Sequence, residues 1–143
     1  MNLIKIGTTG YRDEIYIVQA TGANAGQPYT GLSFNTAGLT AFYYRNTATG
    51  LVDFALNSGT LGNWRTGGFV EVATGTYQVG LPDGAFASGA DNVIFTYYGV
   101  ANMLAVPLKY QLYRSLDTNI VAVNGSDVIS TGAVNANVVS VAS

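Results

Sequence analysis

Apolar side chains recur at every second position in several separate stretches of the chain, and a period of two predicts β-strands. In Val106-Pro107-Leu108-Lys109-Tyr110-Gln111-Leu112, the residues Val106, Leu108, Tyr110 and Leu112 share one face, while Lys109 and Gln111 take the other. This is a half-buried strand, and Pro107, which has no N–H to give to a ladder, places it at a sheet edge or stands near its start. Similar runs cover Asp13 to Ala20, where Tyr16 and Val18 oppose Ile15 and Ile17, then Leu39 to Arg45, Gly68 to Ala73, Thr76 to Leu81 and Asp91 to Tyr98. Each is rich in β-branched or aromatic residues, which suit a pleated, half-buried surface.

Between the runs lie 21–28, Asn46 to Gly50, Asn57 to Gly62, Thr74-Gly75 and Pro82-Asp83-Gly84, all of turn or loop chemistry. Short strands at such spacing predict an all-β fold, an antiparallel β-sandwich of immunoglobulin-like or jelly-roll-like kind, over residues 1–114. Only Asp83 to Ala90 offers a helical turn, with Asp83 as its cap. Residues 115–143 read differently. There Thr118-Asn119-Ile120-Val121-Ala122-Val123-Asn124 is loosely echoed by Asn135-Ala136-Asn137-Val138-Val139-Ser140-Val141, without a single aromatic ring. The pattern predicts an extended, β-rich C-terminal tail. Lacking large side chains for its own core, the tail is expected to pack Ile120, Val121, Val123, Val138, Val139 and Val141 on the main domain or on other copies of the chain. A homo-oligomer is expected, and a trimer suits it.

Composition narrows the chemistry. The 143 residues include no histidine and no cysteine, which removes the commonest general bases, thiol nucleophiles and zinc ligands. No enzyme activity, cofactor or metal is expected. Charged residues make up 10%, against roughly 25% in an ordinary globular domain. Such a surface is built from Thr, Ser, Asn, Gly and Tyr, and invites contact with other proteins. The six basic residues, Lys5, Arg12, Arg45, Arg65, Lys109 and Arg114, are scattered, and net charge is −2, so neither nucleic acid nor a membrane is an expected partner. The N-terminus carries no apolar stretch of signal length, so synthesis in the cytoplasm is expected.

Candidate constellations are few. In Arg12-Asp13-Glu14 the two carboxylates fall on opposite faces of a strand, which predicts a solvated strand start rather than an acid–base pair. Asp53, Glu71, Asp83 and Asp91 stand in no recognisable motif, and Asp83 and Asp91 supply only the two ends of a calcium-loop pattern. The glycine-rich stretches lack phosphate-loop spacing and read as turns. Ten tyrosines are the strongest functional signal, above all the pairs Tyr43-Tyr44 and Tyr97-Tyr98. Alternation sends one member of each pair into the core and the other outward, which makes Tyr44 and Tyr98 interface candidates. Trp64, in the loop Gly62-Asn63-Trp64-Arg65, is the single tryptophan and the expected exposed anchor.

The run from Gly31 to Arg45, GLSFNTAGLTAFYYR, followed by Gly67-Gly68-Phe69-Val70-Glu71-Val72, resembles a domain that recurs in virion proteins of tailed bacteriophages. The likeness continues through 75–83, Gly89-Ala90-Asp91 and 99–103, and covers about residues 5–114 as a string of packing and turn positions. It implies an immunoglobulin-like sandwich similar to the N-terminal domain of baseplate upper proteins. Larger members place fibre or adhesin regions downstream, whereas this sequence ends at Ser143, which argues against a receptor-binding head. The expectation is a structural protein of the virion: a capsid decoration, cement or head-fibre subunit that touches the major capsid protein. The alternative is a tail-fibre or baseplate module that binds host-surface carbohydrate through its tyrosines and Trp64.

Overall fold

The computed structural model describes residues 2–114. Among them nine strands form: β1 (Asn2–Lys5), β2 (Arg12–Tyr16), β3 (Thr40–Arg45), β4 (Val52–Asp53), β5 (Asn57–Ser58), β6 (Gly68–Ala73), β7 (Thr76–Gly80), β8 (Asn92–Tyr98) and β9 (Val106–Tyr113). A single 3-10 turn spans Asp83–Phe86. The strands build two sheets, one ordered β1-β9-β8-β3-β4 and the other β2-β7-β6-β5. These pack face to face as a β-sandwich. The compact unit ends at Tyr113, and the tail at 115–143, with Ile120, Val121, Val123, Val138, Val139 and Val141, lies outside the described residues.

Alternation explains why the sheets meet where they do. Ile15, Phe69, Tyr77 and Val79 point inward from the second sheet, while Val93, Phe95, Tyr97, Tyr110 and Leu112 point inward from the first, and all are buried. Burial at roughly 25 cal/mol per Å² of apolar surface makes this core the main stabilising contribution. Its aromatic rings interlock. Phe86 meets Tyr110 edge-on at 5.6 Å, Phe95 meets Tyr110 at 5.8 Å, and Phe69 stacks on Tyr77 at 4.9 Å. Thr74 and Gly75 both take positive φ, 47° and 86°, at the tip of the β6–β7 hairpin. That is the turn whose twist matches the flanking strands.

Several expectations are corrected. The sheets are mixed rather than purely antiparallel, because β1 runs parallel to β9 and β5 parallel to β6. Pro107 stands in an interior strand, yet near its start as the other reading had it: β1 pairs with β9 only from Tyr110 onward, so the flank of Pro107 away from β8 needs no donor from it. The run predicted from Asp13 to Ala20 ends as a strand at Tyr16, and Val18 and Gln19 make only isolated bridges to Pro28 and Met103. Asn57 and Ser58, read as loop, form the short β5. The cap of the 3-10 turn is Pro82, and the carboxylate of Asp83 accepts the N–H of Gly10 at 2.8 Å instead.

Candidate functional site

The two sheets treat their outer faces differently. On the second sheet, Gln78 and Gly80 alternate with inward Tyr77 and Val79, so they face outward; yet Gln78 is only 6% exposed. The loop 59–66 lies over them. The side-chain amide of Gln78 donates to the carbonyls of Thr60 (3.0 Å) and Asn63 (3.2 Å), and its oxygen accepts from the N–H of Gly62 (2.9 Å) and Nη1 of Arg12 (3.4 Å). At Gly80 the carbonyl oxygen of Arg65 passes where a Cβ would stand. Only glycine admits the loop that closely.

Trp64 belongs to this covering loop. It is half-buried, and its indole N–H donates to the carbonyl of Leu81 at 3.0 Å. The expected exposed anchor is therefore partly sunk into the molecule, with its polar handle already used.

The outer face of the first sheet carries no such loop among the described residues. Register sets its side chains in rows. Tyr98 stands beside Thr40; Pro107, Thr96, Phe42 and Asp53 form a second row; Lys109, Ile94 and Tyr44 form a third. All alternate with inward residues of β3, β8 and β9, so all face outward. Tyr98 is 38% exposed and packs edge to face on Phe42, with centroids 5.8 Å apart and planes at 73°. Tyr44 is half-buried, and its hydroxyl donates to the carbonyl of Ala48 at 3.3 Å. The structure thus brings Tyr44 and Tyr98 onto one face and leaves Trp64 elsewhere.

Phe42, Ile94 and Thr96 share the face without having been singled out from the sequence. They are joined by Lys109, read there as an outward strand residue, and Asp53, read there as a carboxylate outside any motif. Alternation within β3 and β8 did place 42, 94 and 96 on the same side as 44 and 98. What alternation lacks is the cross-strand register that gathers them.

The carboxylates have local duties. Asp13 is half-buried and accepts the hydroxyl proton of Tyr110, which links the sheets and corrects the reading of a solvated strand start. Burial, and then this bond, push the Tyr110 hydroxyl far above its ordinary range. Tyr97 is raised likewise, by burial and then by the charge of Asp13, and its hydroxyl has no hydrogen-bond partner. Glu14 on the opposite side of β2 is exposed, as alternation required. Glu71 accepts the N–H groups of Gly31 (3.0 Å) and Gly75 (3.3 Å). Among the described residues, no group of three His, Cys, Asp or Glu could hold a metal ion, and no helix is long and apolar enough to cross a membrane.

Compared with family models, curated proteins and solved structures, the chain matches none.

Proposed function

We propose that the protein is a non-enzymatic structural subunit of a tailed-phage virion, a capsid decoration, cement or head-fibre component that assembles in the host cytoplasm with copies of itself and with the major capsid protein. The observation that carries this reading is the aromatic outer face of the first sheet, over which no loop of the described residues folds. Among the described residues a loop folds over one outer sheet face, while the other presents exposed Tyr98 beside half-buried Phe42, Tyr44 and Ile94, a surface suited to a protein partner. Low charge and the absence of histidine and cysteine support the same reading, as does the resemblance to phage virion domains.

The mechanism is additive. Apolar contact area, worth roughly 25 cal/mol per Å², is repeated across symmetric copies, so modest single contacts sum to a clamp on neighbouring capsid subunits against internal pressure. A three-fold arrangement through Ile120, Val121, Val123, Val138, Val139 and Val141 belongs to the proposal. The edge-to-face setting of Phe42 and Tyr98 supports a protein partner over a flat sugar, because the two rings do not form a coplanar stacking platform.

The test is gold-labelled antibody against the chain, imaged on purified particles from the host that encodes it. Label at symmetric positions on the particle is expected. Particles without label, with the chain free in the lysate, would overturn the assignment.

A further inference from the structure

We infer that the outer face of the first sheet is a self-complementary, two-fold interface, in which Lys109 of one copy meets Asp53 of a second. The inference rests on the self-association reading above and specifies its geometry.

Across the four strands β9, β8, β3 and β4 the face is complementary in content, with β1 lying beyond β9 outside the contact. Lys109 stands on β9 and Asp53 on β4, and between them lie only β8 and β3, so the two charges flank the midline of the face at equal strand distances. Strands repeat at about 4.8 Å, which sets each charge about 7 Å from that midline. A two-fold axis parallel to the strands, passing between β8 and β3, exchanges the two sides. It carries Lys109 of one copy to the β4 side of the other, one row from Asp53 and within a lysine's reach. The exchange occurs twice, as an isologous contact requires.

Side-chain size follows the same symmetry. Each row crossing the midline pairs a large residue with a smaller one: Tyr98 with Thr40, Phe42 with Thr96, Tyr44 with Ile94. The two-fold exchange sets β3 of one copy over β8 of the other, so Phe42 lies over Thr96, Tyr44 over Ile94 and Tyr98 over Thr40. Bulk meets hollow in every row. An axis perpendicular to the strands would instead set Phe42 on Phe42 and leave Lys109 without an acidic partner.

The four overlapping strands span roughly 20 by 20 Å, so two copies cover about 800 Å² together, the size of a weak, concentration-dependent contact rather than of an obligate interface.

The experiment is sedimentation equilibrium of the full chain at neutral pH and low salt, with charge reversals. The wild type is expected to reach an even-numbered assembly. Lys109→Asp and Asp53→Lys should each weaken the two-fold step about tenfold, since one substitution spoils two symmetric pairs, and at moderate concentration the mass should halve. The double variant Lys109→Asp/Asp53→Lys should restore association to near the wild-type level. Both sites are exposed, so far-UV circular dichroism should be unchanged. If Phe42→Ser and Tyr98→Ser abolish association while the double reversal fails to rescue it, the two-fold geometry is wrong although the face still binds. If neither Phe42→Ser nor Tyr98→Ser alters the mass, or the wild type is a monomer or a plain trimer, this interface does not form.

Discussion

Tyr97 carries a hydroxyl into the centre of the sandwich, where the side chain is fully buried and the oxygen has no hydrogen-bond partner. A dehydrated, unpaired polar group costs about 1–3 kcal/mol, while the ring itself packs against Phe54 and Phe69. Tyr97→Phe keeps the ring and removes the orphan. It should raise stability by about 1–2 kcal/mol in urea denaturation at pH 7; an equal loss would mean that the hydroxyl is satisfied in solution. Gly80 presents the opposite case. Its φ is unremarkable, but a Cβ there collides with the Arg65 carbonyl oxygen. Gly80→Ala should cost about 1–3 kcal/mol, in the manner of overpacking, and a thermal melt superimposable on the wild type would refute the close approach.

At the scale of elements, the loop 59–66 is held to the second sheet chiefly by one side chain. Gln78 fills every donor and acceptor of its amide, three of its four bonds going to loop backbone. Gln78→Ala should therefore release the loop and cost about 2–3 kcal/mol, at roughly 1 kcal/mol for each bond lost. Trp64, the single tryptophan, reports the event. Its fluorescence should shift to the red as the indole loses its half-buried setting, and an unchanged emission maximum would show that the loop is anchored otherwise. No sequence pattern announces this clamp, because an outward glutamine on an alternating strand reads as solvated. The alternation of Val106 to Leu112, Thr76 to Leu81 and Asp91 to Tyr98 was legible because each strand has a buried face to encode. β4 and β5, two residues each, are too short to show a period, and β1 shows only Ile4 inward between Leu3 and Lys5. Parallel pairing of β1 with β9 left no local trace, since it joins residues about a hundred positions apart. The face holding Tyr44 and Tyr98 was half legible: strand period gave the direction of each side chain, and register, which is tertiary, supplied the neighbours.

For the whole molecule, the two sheets are tied by more than apolar contact. Asp13 on β2 of the second sheet accepts from Tyr110 on β9 of the first, and Tyr97 lies close enough to feel the same charge. Burial raises both hydroxyls above the 10.0 of an unfolded tyrosine, and the Asp13 carboxylate raises them further. Below pH 10 both states hold these protons, and the stabilisation is complete. Above it, the unfolded chain releases protons that the folded core retains, so stability falls as pH rises. Each such tyrosine removes about 1.4 kcal/mol per pH unit once that regime is reached. Tyr97 and Tyr110 together should lower the unfolding free energy by about 3 kcal/mol between pH 8 and pH 11. Urea titrations across that range measure it directly. Tyr97→Phe and Tyr110→Phe should each make the fall shallower, and the double variant should keep only the fall left by Tyr11 and Tyr77, whose hydroxyls burial also raises. A wild-type curve already flat to pH 11 would mean that these hydroxyls ionise in the folded protein as easily as in the unfolded chain, and the two sheets would then be opening to water around them.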